Sequence, residues 1–156
     1  MHVNELGTLG GLVLATLLAT ACDSPAEARI VAERTHFRDI VPDEYVIAAC
    51  GVGVARDCTR EVVVAGRVVT AEVALAGSAA WRPVAELGAW VDQATSMFEA
   101  ALESAGSLRS LEFEPRWHYV SEYHLEGDDG RRVTCFLPNR VDLQQCQADA
   151  VALGAP

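Results

Sequence analysis

The chain has 156 residues, is 51% hydrophobic and 22% charged, and carries 12 basic against 22 acidic residues, a net charge of −10. That length accommodates one domain with short appendages. The acidic balance excludes the basic footprint of a nucleic-acid binder, and a single long uncharged apolar run, near the start, excludes a polytopic membrane protein.

That run is Gly7 to Ala21, GTLGGLVLATLLATA. It is short for a bilayer span and matches the apolar core of an export signal. It ends in Leu18-Ala19-Thr20-Ala21-Cys22, which resembles the lipobox of bacterial lipoproteins. The resemblance implies cleavage before Cys22, with lipid on its thiol. Residues 1–21 then form the signal peptide and residues 22–28 a lipidated polar tether. Residues 29–137 form the domain, and residues 138–156 a tail or short helix. The expected location is the cell envelope, with the membrane as partner through the anchor. Asp23 resembles an inner-membrane retention signal.

Export changes how the other cysteines read. Cys50, Cys58, Cys135 and Cys146 fit two disulfides in an oxidising compartment. Loop closure favours the local pairs Cys50–Cys58 and Cys135–Cys146 over the other connectivities. Neither spacing suits the tight cysteine pairs of a structural zinc site.

In chain order, residues 28–40 read as a helix with Ile30, Phe37 and Ile40 as its apolar stripe, stopped by Pro42. Residues 44–50 read as a strand. REVVV and RVVTAEVAL flank a tight turn at Ala65-Gly66, with Val69, Ala71, Val73 and Leu75 on one face. Residues 76–89 read as a loop. Residues 90–105 read as the main helix, with a seam of Val91, Thr95, Phe98, Leu102 and Ala105. Strands follow at 108–114, with Arg109, Leu111 and Phe113 on one face, then at 119–126 and 131–137. Leu143, Cys146, Ala150 and Leu153 keep helical spacing and leave room for a short C-terminal helix. The expected class is α+β: an antiparallel sheet of about four to six strands, one main helix on one face and a short N-terminal helix.

Several segments carry a family pattern. FEPRWHYVSEYHLE resembles the Y-D-P-x-Y-G-Y-P-x-x-I-x-I-D signature of a family of small bacterial exported proteins and lipoproteins classed as a domain of unknown function. Phe113, Glu114, Pro115, Trp117 and Tyr119 carry its first half, and Tyr123, Leu125 and Glu126 its second. His118 and Val120 stand where the signature has Gly and Pro. VDQATSMFEAALESAG, EVVVAGRVVTAEV and EYVIAAC resemble the family's helix, hairpin and cysteine-bearing strand. The resemblance spans about residues 30–127 and implies fold and location, with no activity or cofactor.

Candidate chemistry is sparse. Alternation puts His118, Glu122 and His124 on one strand face, opposite Tyr119 and Tyr123. Glu122 and His124 lie about 6.6 Å apart along a strand and could share a metal or small ligand, whereas His118 lies about 20 Å from His124. A third ligand would come from a neighbouring strand. The competing reading is a solvated polar face. Gly51-Val52-Gly53 reads as a hairpin loop and Asp128-Asp129 as a turn. No G-x-S-x-G elbow supports a hydrolase. Trp81, Trp90 and Trp117 either line a partner surface or close the end of the core. The expected function is a non-enzymatic lipoprotein that binds a protein or envelope component, without cofactor. The alternatives are a metal or small-ligand binder and, more weakly, an envelope hydrolase.

Overall fold

A computed structural model describes residues 24–53, 57–75, 80–88 and 90–146. The expected signal peptide, Cys22, Asp23, Ala150 and Leu153 lie outside the described residues.

The first helix, α1, spans Pro25–Ile40 and so begins inside the segment expected to be a tether. Ser24-Pro25-Ala26-Glu27 explains the early start. The Glu27 N–H donates to Ser24 Oγ at 3.2 Å, and the Ser24 N–H donates to Glu27 Oε2 at 2.6 Å. This capping box, with proline at the first turn, satisfies donors that a helix start otherwise leaves open. Ile30 and Phe37 are buried, whereas Ile40 is exposed.

Among the described residues, seven strands form one sheet: β1 (Glu44–Val52), β2 (Cys58–Val64), β3 (Arg67–Ala74), β4 (Arg82–Pro83), β5 (Leu108–Phe113), β6 (Val120–Leu125) and β7 (Gly130–Pro138). Their order is β4-β3-β2-β1-β7-β6-β5, with every neighbouring pair antiparallel. The class is α+β as expected, with more strands than anticipated because Arg82-Pro83 adds a two-residue edge inside the expected loop. Two meanders, β1–β4 and β5–β7, join where β7 returns beside β1.

The second helix, α2, spans Gln93–Glu103, later than the expected start at residue 90. Asp92 caps it by accepting the Thr95 N–H at 3.0 Å. Its buried stripe is Ala94, Met97, Phe98 and Ala101; Val91, expected in the seam, precedes the helix and is exposed. Both helices pack on one sheet face, where Ile30, Phe37, Phe98, Tyr45, Ile47 and Val63 form the main core.

On the opposite face, Val46, Ala48 and Val62 lie beneath a single 3₁₀ turn, Leu143–Cys146. The disulfides are Cys50–Cys58, joining directly opposed residues of β1 and β2, and Cys135–Cys146, tying that turn to β7. Each closes a short loop, worth about 2–3 kcal/mol on the chain-entropy account.

Irregular registers move two expected faces. A shift between Val62 and Val63 puts Val68 against the core, while Val69 and Leu75 are exposed. A shift between Leu108 and Ser110 lets Leu108, Leu111 and Phe113 all pack inward. Arg109, expected on their face, is exposed and pairs with Asp128 at 3.1 Å. Gly53 has a structural reason: at φ +90° its Cα approaches the β6–β7 turn so closely that a Cβ would lie 1.9 Å from the Asp128 carbonyl oxygen. No helix among the described residues is long and apolar enough to cross a membrane.

Candidate functional site

The described histidines separate into two clusters on different parts of the fold. The first lies where α1 meets the β5–β6 connection. Burial of Ile30 and Phe37 sets the rotation of α1 and leaves Glu33 half-buried and His36 exposed, one helical turn apart. The connection is held by Glu114, whose Oε2 accepts the N–H groups of Arg116 at 2.8 Å and Trp117 at 2.5 Å. Its carbonyl also accepts the His118 N–H at 2.8 Å. Trp117 packs on Phe136, ring centroids 5.8 Å apart, which fixes the turn to the core.

This turn leaves His118 at φ +59°, a left-handed conformation that costs a non-glycine residue free energy. The conformation sends the imidazole toward α1. His118 Nδ1 lies 2.7 Å from Glu33 Oε2, and the His118 ring meets the His36 ring edge-on at 5.1 Å between centroids. The ligand atoms of Glu33, His36 and His118 all lie within 4.8 Å of one another. These three side chains have the chemistry to hold a metal ion.

The second cluster is on the outer face of the sheet. Glu122 and His124 stand on one side of β6, as alternation implied, with His124 Nε2 2.7 Å from Glu122 Oε1. The neighbouring strand β7 contributes Arg132, which donates to the same Oε1 at 2.6 Å. That hydrogen bond holds the Glu122 carboxyl below the ordinary range and pushes the Arg132 guanidinium up. A cation therefore occupies the place where a third ligand was expected. His118 precedes β6 and belongs with α1, so the structure does not bring His118, Glu122 and His124 together.

A third polar group was not anticipated. Glu61 on β2 is fully buried, facing the start of α2. It accepts the Trp90 indole N–H at 2.5 Å, the Gln93 backbone N–H at 2.8 Å and the Gln93 amide at 3.3 Å. Burial outweighs these donors and raises its pKa. Beside it, the Tyr45 hydroxyl donates to Asp92 at 3.1 Å. Burial, then the Asp92 charge, pushes the Tyr45 phenol up. The arrangement anchors α2 to the sheet. A legible signal existed: strand alternation puts Glu61 on the same face as Val63.

The tryptophans are half-buried and do not form one surface. Trp81 lies under the Arg60 guanidinium at 4.3 Å on the outer face, whereas Trp90 bonds to Glu61 on the helix face. Arg60 itself is buried, donating to Glu72 at 2.7 Å and to the Leu143 carbonyl at 3.3 Å. Between α1 and α2 a cleft of about 210 Å³ is lined by Arg34, Phe37, Arg38, Thr95, Phe98 and Glu99.

Sequence reasoning did not single out Glu33 or His36. Their Glu-x-x-His spacing on a helix was the available signal, because it puts both side chains on one face. Comparison with known proteins finds no matching family model, no matching curated protein and no matching solved structure.

Proposed function

We propose that this chain is a lipid-anchored, extracytoplasmic, non-enzymatic domain that binds a protein or another envelope component. The observation that carries the reading is the junction between anchor and fold. The uncharged Gly7–Ala21 run ends at Cys22, and Ser24 caps α1 two residues later. Lipid chains on Cys22 would contribute about 0.8 kcal/mol per buried CH₂. So short a link would hold the domain against the bilayer, and Asp23 would keep it at the inner membrane. The two disulfides support an oxidising compartment.

The outward side of β5–β7, with Glu112, Glu122, His124 and Arg132, is the surface we assign to the partner. The 3₁₀ turn packs chiefly against β1, β2 and β7. No cofactor is assigned.

The test is palmitate labelling and fractionation of bacterial cells expressing the full chain. The expected result is a labelled membrane protein, with Cys22→Ser losing the label and the membrane association. An unlabelled, uncut chain in the cytosolic fraction would overturn the reading.

A further inference from the structure

We infer that Glu33, His36 and His118 form a binding site for a divalent d-block cation of the zinc class. The inference goes beyond membrane anchoring and does not depend on it. Two imidazole nitrogens and one carboxylate oxygen suit zinc, copper or nickel, whereas magnesium and calcium require oxygen cages. One helical turn of α1 supplies two of the donors, and the third arrives from a residue 85 positions away. Ligands around tetrahedral zinc sit about 3.4 Å apart, from metal–ligand bonds of about 2.0–2.2 Å. The ligand atoms lie within 4.8 Å of one another, and His36, exposed on α1 and touching the His118 ring edge-on, is the side chain with room to adjust toward that spacing.

His118 Nδ1 and Glu33 Oε2 already meet in a 2.7 Å hydrogen bond, and an ion would take the place of the shared proton as the two atoms part to ligand spacing. The Glu114 turn holds His118 in its left-handed conformation without help from a metal. Three protein ligands leave a fourth position open for water or for a donor from a partner. As ligands the two imidazoles donate neutral lone pairs and Glu33 supplies the one anionic donor, which partly offsets the charge of the bound ion.

The experiment uses the full chain in detergent with its disulfides intact. It is titrated with Zn²⁺ and, separately, Mg²⁺, and followed by equilibrium dialysis and thermal unfolding. The expected result is one Zn²⁺ per chain, a Tm rise of roughly 5–10 °C at hundredfold excess over Kd, and no response to Mg²⁺. His36→Ala sits at an exposed helix position and keeps the fold. His118→Asn keeps a residue type that tolerates positive φ. Each should weaken Zn²⁺ binding more than about tenfold, with unchanged far-ultraviolet circular dichroism, while His124→Ala binds as the parent does. Failure of the parent chain to bind Zn²⁺ saturably would overturn the inference. So would parental affinity in His36→Ala and His118→Asn, or loss of binding through His124→Ala.

Discussion

Trp90 and Glu61, 29 positions apart, meet through an indole N–H to carboxylate hydrogen bond of 2.5 Å. The same carboxylate accepts the first backbone N–H of α2. A helix start leaves unpaired N–H groups and a partial positive charge, so an acceptor anion fits there. β2 thus turns a charged side chain inward at the point where α2 can satisfy it. From β1, the Tyr45 hydroxyl donates to the capping residue Asp92. The two contacts set where α2 begins on the sheet.

Removing that acceptor is expected to be costly. Glu61→Ala strands three donors in the core and should lower stability by about 2–4 kcal/mol, measured by urea unfolding. The pH dependence has a defined sign. Because burial raises the Glu61 pKa in the folded protein, the folded state holds a proton that the unfolded state releases. Stability from this group is therefore highest below the ordinary carboxylate value of about 4.3 and declines as pH rises through the raised folded value. Subtracting the profile of Glu61→Gln from that of the parent should isolate this decline. A flat difference would count against it.

Glu122 should behave oppositely. The Arg132 hydrogen bond lowers its folded pKa, so its contribution is present above about pH 4.3 and is lost as pH falls through the lower folded value. Arg132 is partly exposed, with 44% of its side chain accessible, so solvent screening keeps the contribution below about 1 kcal/mol. Arg132→Ala should shrink this acid-side loss, with His124 still beside the carboxylate, and leave the neutral fold intact, as read by acid titration of Tm.

Two glycine substitutions should diverge sharply. Gly53→Ala combines positive φ with a methyl group 1.9 Å from a backbone oxygen. A loss of about 2 kcal/mol or more is expected, since neither obstacle is a flexible side chain. Gly106 has nothing within 4 Å of an added Cβ, and Gly106→Ala should change stability by no more than about 0.5 kcal/mol. Comparing their urea midpoints checks both.

The disulfides should make separable contributions. Replacing Cys135 and Cys146 together by serine releases the 3₁₀ turn from β7 and uncovers Val46, Ala48 and Val62. The expected cost is about 2–3 kcal/mol, with more apolar dye binding on that face. The pair Cys50→Ser with Cys58→Ser joins residues already opposed in a hairpin, so its cost should be similar, without exposure of that face.

Residues close together in sequence announced most of their local structure. Val and Thr alternation marked β2 and β3, Ala65-Gly66 marked their turn, and the cysteine spacings favoured the pairing observed. The capping box at Ser24 and Glu27 was also legible in principle, because all its partners lie within one helical turn. Register was not: the shifts that turn Val69 outward and Leu108 inward arise where neighbouring strands compete for pairing.

The order of residues alone determined the class of fold, the apolar run before Cys22 and the local disulfides, because these depend on periodicity, run length and short loop closure. Only the tertiary structure decided which polar groups meet. His118 joined Glu33 rather than His124 because a turn with positive φ rotated it off the strand axis, and helix packing carried Glu33 to it. Such meetings depend on how distant elements are oriented, and a linear pattern does not encode that orientation within any single segment.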